Sequence, residues 1–138
     1  TAAYAAFFNG GLRIAPTGID TLHAEGRPLP LPRTAPSRAL DPNHAAMMAR
    51  MMAAVVARGS GRPAAVPGRA VAGKTGTTQD HRDAWFIGWA DSRGGGRPGG
   101  IMIGIWLGND DNRPMDRVTG GSLPARLFAE IVRDIGPN

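Results

Sequence analysis

Lys74 is the single lysine among sixteen cationic side chains; the other fifteen are arginine. It stands in the run Ala72-Gly73-Lys74-Thr75-Gly76-Thr77-Thr78. Lysine carries a compact ammonium on a slim stem and can change its pKa, whereas arginine is a broad planar fork that stays protonated. A chain that otherwise uses arginine throughout therefore has a chemical reason for lysine at this position. Three threonine hydroxyls and two glycines surround it, so an anion could meet the ammonium and several O–H donors with bare backbone close by. A phosphate and a peptide carboxylate are the two anions such a run could serve.

The phosphate reading starts from Gly68-Arg69-Ala70-Val71-Ala72-Gly73-Lys74-Thr75, which fits the nucleotide-binding pattern of Gly, four residues, then Gly-Lys-Thr. That pattern works when a hydrophobic strand runs into the first glycine and a helix begins at Lys-Thr. Upstream, Pro63 and Pro67 spoil a central strand. Downstream, Gly76 and two β-branched threonines stand where the helix would start. Arg69 to Ala72 also lacks the glycines that let amides wrap a phosphate. Asp110-Asp111, after the apolar run from Ile101 to Leu107, could stand for a metal-binding strand exit and keeps the nucleotide reading open.

The carboxylate reading puts Lys74 to Thr77 on a strand. In an ideal pleat Lys74 and Gly76 face one way and Thr75 and Thr77 the other. Twist at a glycine-containing edge can bring Lys74, Thr75 and Thr77 around one cleft. Gly76 leaves room for a substrate backbone, and an edge strand offers free N–H and C=O groups to an extended peptide. The chemistry is the binding and polarisation of a peptide's carboxylate end.

The elements that must hold this run are legible in outline. Residues 2–8 read as a helix tail closed by Asn9-Gly10-Gly11. Residues 12–29 suggest a small hairpin, and four prolines in residues 28–38 an extended connector. Asp41-Pro42 is an N-cap followed by proline at the first helical position, opening a helix from His44 to Arg58 that stops at Gly59. Met47, Met48, Met51, Met52, Val55 and Val56 span a broad face, which predicts a helix buried around much of its circumference, its methionines packing a core. Three extended runs follow: Val71 to Thr77, Ala84 to Ala90 and Ile101 to Leu107. Gln79-Asp80-His81-Arg82 and a flexible stretch from Arg93 to Gly100 separate them, so they should form an antiparallel meander. Leu127, Phe128, Ile131, Val132 and Ile135 have helical spacing, predicting a last helix over 123–136 packed across the sheet. The Met-rich helix and an N-terminal helix are expected on the sheet's other side. The fold class is α+β, a three-stranded antiparallel sheet flanked by helices.

Composition excludes several functions. The net charge of +5 comes from arginines scattered singly, with one tyrosine and four phenylalanines, so no stacking platform for nucleic acid is indicated. There is no cysteine, and His23, His44 and His81 lie far apart and read as solvated surface residues, so no metal site is assigned. No cofactor is indicated. The chain opens at Thr1 in an apolar run without a basic leader or cleavage pattern, which reads as an excised internal segment rather than a signal peptide or membrane span.

Lys74-Thr75-Gly76-Thr77-Thr78 resembles the lysine-threonine-glycine signature of penicillin-binding proteins and serine β-lactamases. The stretch from Gly73 to Ala90, with Gln79-Asp80 and Arg82-Asp83-Ala84-Trp85-Phe86-Ile87-Gly88, resembles the third and fourth strands of bifunctional (class A) peptidoglycan synthases. Ile105-Trp106-Leu107-Gly108-Asn109-Asp110-Asp111-Asn112 resembles their fifth strand, and Gly120-Gly121-Ser122-Leu123-Pro124 the entry to their last helix. Tyr4 to Gly11 and Val55 to Gly61 fit as well, so the resemblance covers nearly the whole chain. It implies residues 1–138 of a transpeptidase domain's C-terminal part, a partial serine β-lactamase/transpeptidase-like fold. Residues 1–59 would be mostly helical with a hairpin and proline-rich connector, 70–122 antiparallel strands and 123–136 the last helix.

The resemblance implies cross-linking of peptidoglycan stem peptides by acyl transfer from D-Ala-D-Ala, with β-lactams as donor mimics. Lys74 and the Thr77 N–H would be catalytic, the latter as half of an oxyanion hole. Thr75, Gly76, Thr77 and Thr78 would bind substrate, with the hydroxyls of Thr75 and Thr77 on its carboxylate, while Asp83 and Trp85 would hold the strands together. The family's Ser-x-x-Lys and Ser-x-Asn elements are missing: Ser37, Ser60, Ser92 and Ser122 have Leu40, Pro63, Gly95 and Ala125 three positions on. The isolated chain should therefore be inactive. It would need the N-terminal part of the domain as its partner, or self-associate through uncovered apolar surface, notably on the Met-rich helix. The parent enzyme would be membrane-anchored at the periplasmic face of the bacterial inner membrane, with a glycosyltransferase domain. A different class of function, a non-catalytic binding or packing subdomain, stays open beside it.

Overall fold

The computed structural model describes residues 1–92 and 99–135. Two compact units divide the chain, Ala2–Ala46 and Thr1 with Met47–Asn138.

The smaller unit holds a one-turn helix α1 (Ala2–Ala5) and four two-residue strands, β1 (Leu12–Arg13), β2 (His23–Ala24), β3 (Arg27–Pro28) and β4 (Ser37–Arg38). The expected hairpin is β2–β3, turning at Glu25 and Gly26, which both take positive φ. The proline-rich connector is not wholly unpaired, because β4 pairs antiparallel with β1. The helix expected over residues 2–8 stops at Ala5; the chain turns onward and Gly10 and Gly11 take positive φ before β1.

Helix α2 (Pro42–Arg58) begins where its cap signal lies: Asp41 Oδ1 accepts from the Asn43 N–H at 2.8 Å and from the His44 N–H at 3.4 Å. Its burial departs from the sequence expectation. Ala45, Met52 and Val56 are buried, whereas Met47 and Met51, one turn apart, are each more than half exposed. Met48 and Val55 are half-buried beside that stripe, and among the described residues Met47 and Met51 on the opposite side stay uncovered.

The larger unit is built on a three-stranded sheet of β5 (Val71–Thr77), β6 (Asp83–Asp91) and β7 (Gly100–Gly108), in that order and antiparallel throughout. The meander is as read from the sequence, with Lys74 to Thr77 on an outer strand. The flexible stretch expected from Arg93 to Gly100 lies mostly outside the described residues. Helix α3 (Leu123–Asp134) packs on one face of the sheet, where Phe86 and Phe128 meet edge to face with centroids 5.0 Å apart. Both rings are fully buried, each worth about 1.5–3 kcal/mol of apolar burial. Cross-strand partners Gly73 and Gly88 make the space: a Cβ on Gly88 would lie 2.6 Å from the Phe128 ring and one on Gly73 2.4 Å from the Phe86 ring.

The stripe of α3 that is buried comprises Ala125, Phe128, Ala129 and Val132, while Ile131 and Ile135 remain exposed. Alanines at two contact positions bring the helix close to the sheet, which rotates the larger isoleucines outward. The Met-rich helix does not cover the second face of the sheet among the described residues. Val56, near its end, joins the Phe86–Phe128 cluster instead, and Trp85 and Trp106 stand more than two-fifths exposed on the other face.

Candidate functional site

The site run occupies the whole second half of β5, so the elements above fix its geometry. Thr78 N–H donates to Asp83 O and Asp91 N–H to Ala70 O, each at 3.0 Å, bracketing a ladder in which Lys74 pairs with Ile87. Bonded and non-bonded pairs alternate in an antiparallel ladder, and one residue's N–H and C=O point the same way. The even-numbered residues of β5 therefore bond to β6. Gly73, Thr75 and Thr77 turn their N–H and C=O groups to the open edge.

Side chains sort by register. Lys74 and Gly76 share a face with their partners Ile87 and Trp85, while Thr75 and Thr77, opposite Phe86 and Ala84, lie on the α3 face. Lys74 is exposed and its Nζ curls over the edge to donate to Thr75 O at 2.5 Å. Ammonium and edge carbonyl are thus together, and Lys74 makes no ion pair among the described residues. Thr75 Oγ1 lies 2.8 Å from Ser60 Oγ, and Thr77 Oγ1 accepts from the Gly120 N–H at 3.0 Å. The single cleft expected around Lys74, Thr75 and Thr77 is resolved into two sides of one edge, with ammonium on one and hydroxyls on the other.

Thr78 is turned toward the sheet's end: its hydroxyl donates to Asp83 Oδ2 at 3.3 Å and accepts from the Asp83 N–H at 2.8 Å. Asp83 Oδ1 also accepts from Trp106 Nε1 at 2.9 Å. One carboxylate thereby ties the exit of β5 to β6 and β7, the strand-holding role read for it from the sequence. Trp85 lies 6.3 Å from Trp106, centroid to centroid, on the Lys74 face. His23 and His44 are exposed as expected, but His81 is half-buried with φ +56° and its Nδ1 has no hydrogen-bond partner among the described residues.

Sequence reasoning missed Ser60, Gly120 and Gly121. Gly120 seats its backbone directly on the strand: a Cβ there would fall 2.1 Å from Trp85 O and 2.5 Å from Gly76 O. Gly121 is equally close to Ser60, whose carbonyl oxygen would be 2.3 Å from an added Cβ. The available signal was glycine itself, in Gly59-Ser60-Gly61 and Gly120-Gly121, because only glycine allows such backbone approach.

The geometry decides against nucleotide binding through Gly68 to Thr75. Strand, not helix, runs through Lys74 to Thr77, so no helix N-terminus faces a phosphate. What remains is a strand edge unpaired among the described residues, with an ammonium and flanking hydroxyls, a geometry able to receive an extended peptide and its carboxylate.

Comparison with known proteins agrees. The family model described as the penicillin binding protein transpeptidase domain matches residues 1–132. Penicillin-binding protein 1A of Neisseria meningitidis is 35% identical over 95% of this chain, and penicillin-binding protein 1B of Vibrio cholerae 40% identical over 75%. The chain spans 16% and 12% of the lengths of those two relatives. Among solved structures, penicillin-binding protein A from M. tuberculosis, an imipenem acyl-enzyme complex, superposes with a TM-score of 0.74 at 23% identity. It is matched over 96% of this chain and 29% of its own. The D,D-transpeptidase domain of a peptidoglycan glycosyltransferase from Eggerthella lenta gives 0.65 at 25% identity, over 96% of this chain and 31% of its own. With the lysine-threonine-glycine strand, its antiparallel neighbours and the last helix all in place, this chain belongs to the penicillin-binding protein transpeptidase domain family.

Proposed function

We propose that these 138 residues supply the substrate-edge half of a D,D-transpeptidase that cross-links peptidoglycan stem peptides. In that reaction a serine Oγ, from a Ser-x-x-Lys element this sequence lacks, bonds to the penultimate D-alanine carbonyl carbon. The peptide C–N bond breaks, and the terminal D-alanine leaves as an amine carrying a proton. The amine of a second stem peptide then attacks the ester, forming the cross-link and freeing the serine. β-Lactams take the donor's place and stall at the acyl-enzyme.

The single observation that carries this reading is the ladder phase of β5, which turns the Thr77 N–H to the open edge. There it would be one of two oxyanion donors, the other being the N–H of the missing serine. Such a donor is worth about 2.7–4 kcal/mol of barrier. Lys74, with its ammonium at the same edge, would supply positive potential and pass a proton at the neighbouring serine. Thr75 and Thr77 would hold the substrate carboxylate, Gly76 would leave the approach unobstructed, and Thr78 would bound the subsite while anchored to Asp83. The exposed Met47 and Met51 face would be covered by the rest of the domain, or by a second copy of the chain when that part is missing.

Among the described residues no helix is long and apolar enough to cross a membrane. Periplasmic work at the inner membrane, with a separate anchor and glycosyltransferase domain, is part of the same proposal. The test is the structure of the full-length protein acylated with benzylpenicillin. The ester carbonyl oxygen is expected about 3 Å from Thr77 N, and an oxygen bound elsewhere would overturn the assignment.

A further inference from the structure

We propose that Ser60 is a positioning residue for the substrate carboxylate, acting through the hydroxyl of Thr75; the inference rests on the carboxylate role given to Thr75 above. Both threonines on the α3 side of the edge are held from behind. Thr77 Oγ1 accepts the Gly120 N–H at 3.0 Å, which occupies a lone pair and leaves its own O–H free to donate outward. Among the described residues Thr75 Oγ1 has no backbone donor in that place. It has Ser60 Oγ at 2.8 Å, fifteen residues away in sequence and contributed by the turn that follows α2.

Two hydroxyls in contact have no fixed direction, since either can donate. An anion at the edge breaks the tie. It draws the Thr75 O–H toward itself, Ser60 then donates to Thr75 Oγ1, and each bond polarises the next. Ser60 thereby does for Thr75 what the Gly120 amide does for Thr77. The backbone of Ser60 is set by Gly121, where a Cβ would stand 2.3 Å from the Ser60 carbonyl oxygen. The adjacent glycines 120 and 121 thus key one group to each threonine. Ser60 is exposed, so its hydroxyl is available for this use.

The experiment is the acylation rate of the full-length penicillin-binding protein carrying this chain, with benzylpenicillin and with its methyl ester. In the unaltered protein the acid should react faster than the ester. Ser60→Ala should slow the acid by roughly three- to tenfold, the size of one hydrogen bond, leave the ester rate unchanged, and be rescued by Ser60→Thr. An equal loss with acid and ester would mean that Ser60 shapes the strand rather than the carboxylate contact, and would overturn the proposal. No loss with either would overturn it as well. If the unaltered protein fails to distinguish acid from ester, the carboxylate role of Thr75 falls first and the role of Ser60 with it. Gly121→Ala provides a second variant, expected to reproduce the acid-selective loss by displacing Ser60.

Discussion

At the scale of single residues, the site depends on what alternation along a strand permits. Lys74 and Thr75 cannot share a face, yet the lysine's long stem brings its Nζ back to the edge beside Thr75 O at 2.5 Å. That reach is available to a flexible four-carbon chain ending in a compact charge, whereas a guanidinium would present a wide plane to the same edge. Lys74→Ala should lower the β-lactam acylation rate of the full-length protein on the order of 10²-fold, the lower end for a lost proton-transfer group. Because the side chain is exposed, stability should change by no more than about 0.5 kcal/mol. Lys74→Arg, which keeps the charge, should not restore the rate. Stopped acylation assays with a fluorescent penicillin, beside urea melts, separate the two effects; full activity in the arginine variant would remove the proton-transfer role.

At the scale of elements, the edge is only as well placed as the sheet behind it. Strand β5 is held by β6, and β6 is pressed by α3 through Phe86 and Phe128 in a space left by Gly73 and Gly88. Gly88→Ala would put a methyl group 2.6 Å from both rings, and overpacking of this kind costs about 1–3 kcal/mol. The urea midpoint of this chain should fall accordingly with an unchanged slope, and an unaltered midpoint would show that α3 does not bear on the sheet as described. The charged clasp at the other end of β6 works alongside it. Arg69, its side chain 4% exposed, bonds to Asp91 Oδ1 at 3.0 Å, while Asp91 Oδ1 also accepts the Ala70 N–H. The entry to β5 and the end of β6 are thus joined by charge-assisted bonds as well as by the apolar packing of Val71 and Ala90.

At the scale of the whole molecule, the proposed substrate edge and the proposed nucleophile belong to different parts of the reaction. None of the four serines is followed by lysine at the third position, so the proposed mechanism predicts no acyl-enzyme on this chain alone. Intact mass spectrometry of the chain after incubation with excess benzylpenicillin should show the unmodified mass alone. A stoichiometric adduct would locate a nucleophile outside the family's pattern. Met47 and Met51 on α2 and Trp85 and Trp106 on the sheet face away from α3 are exposed large apolar side chains, the surface that the proposal has the rest of the domain cover.

Much of this was determined by sequence alone. Extended runs bounded by turns marked β5, β6 and β7, Asp41-Pro42 marked the start of α2, and the lysine-threonine-glycine run marked the candidate site, because backbone preference and capping are local properties. The fate of each apolar face was not local. Met47 and Ile131 lie outward while Met52, Val56 and Ala129 are buried, and which of several apolar rows is buried depends on the partner it meets. Only the tertiary structure decided which backbone amides of β5 are free, since ladder phase is set by its pairing with β6. Only it placed Ser60 and Gly120 behind the two threonines, across separations of fifteen and forty-three residues that no periodicity spans.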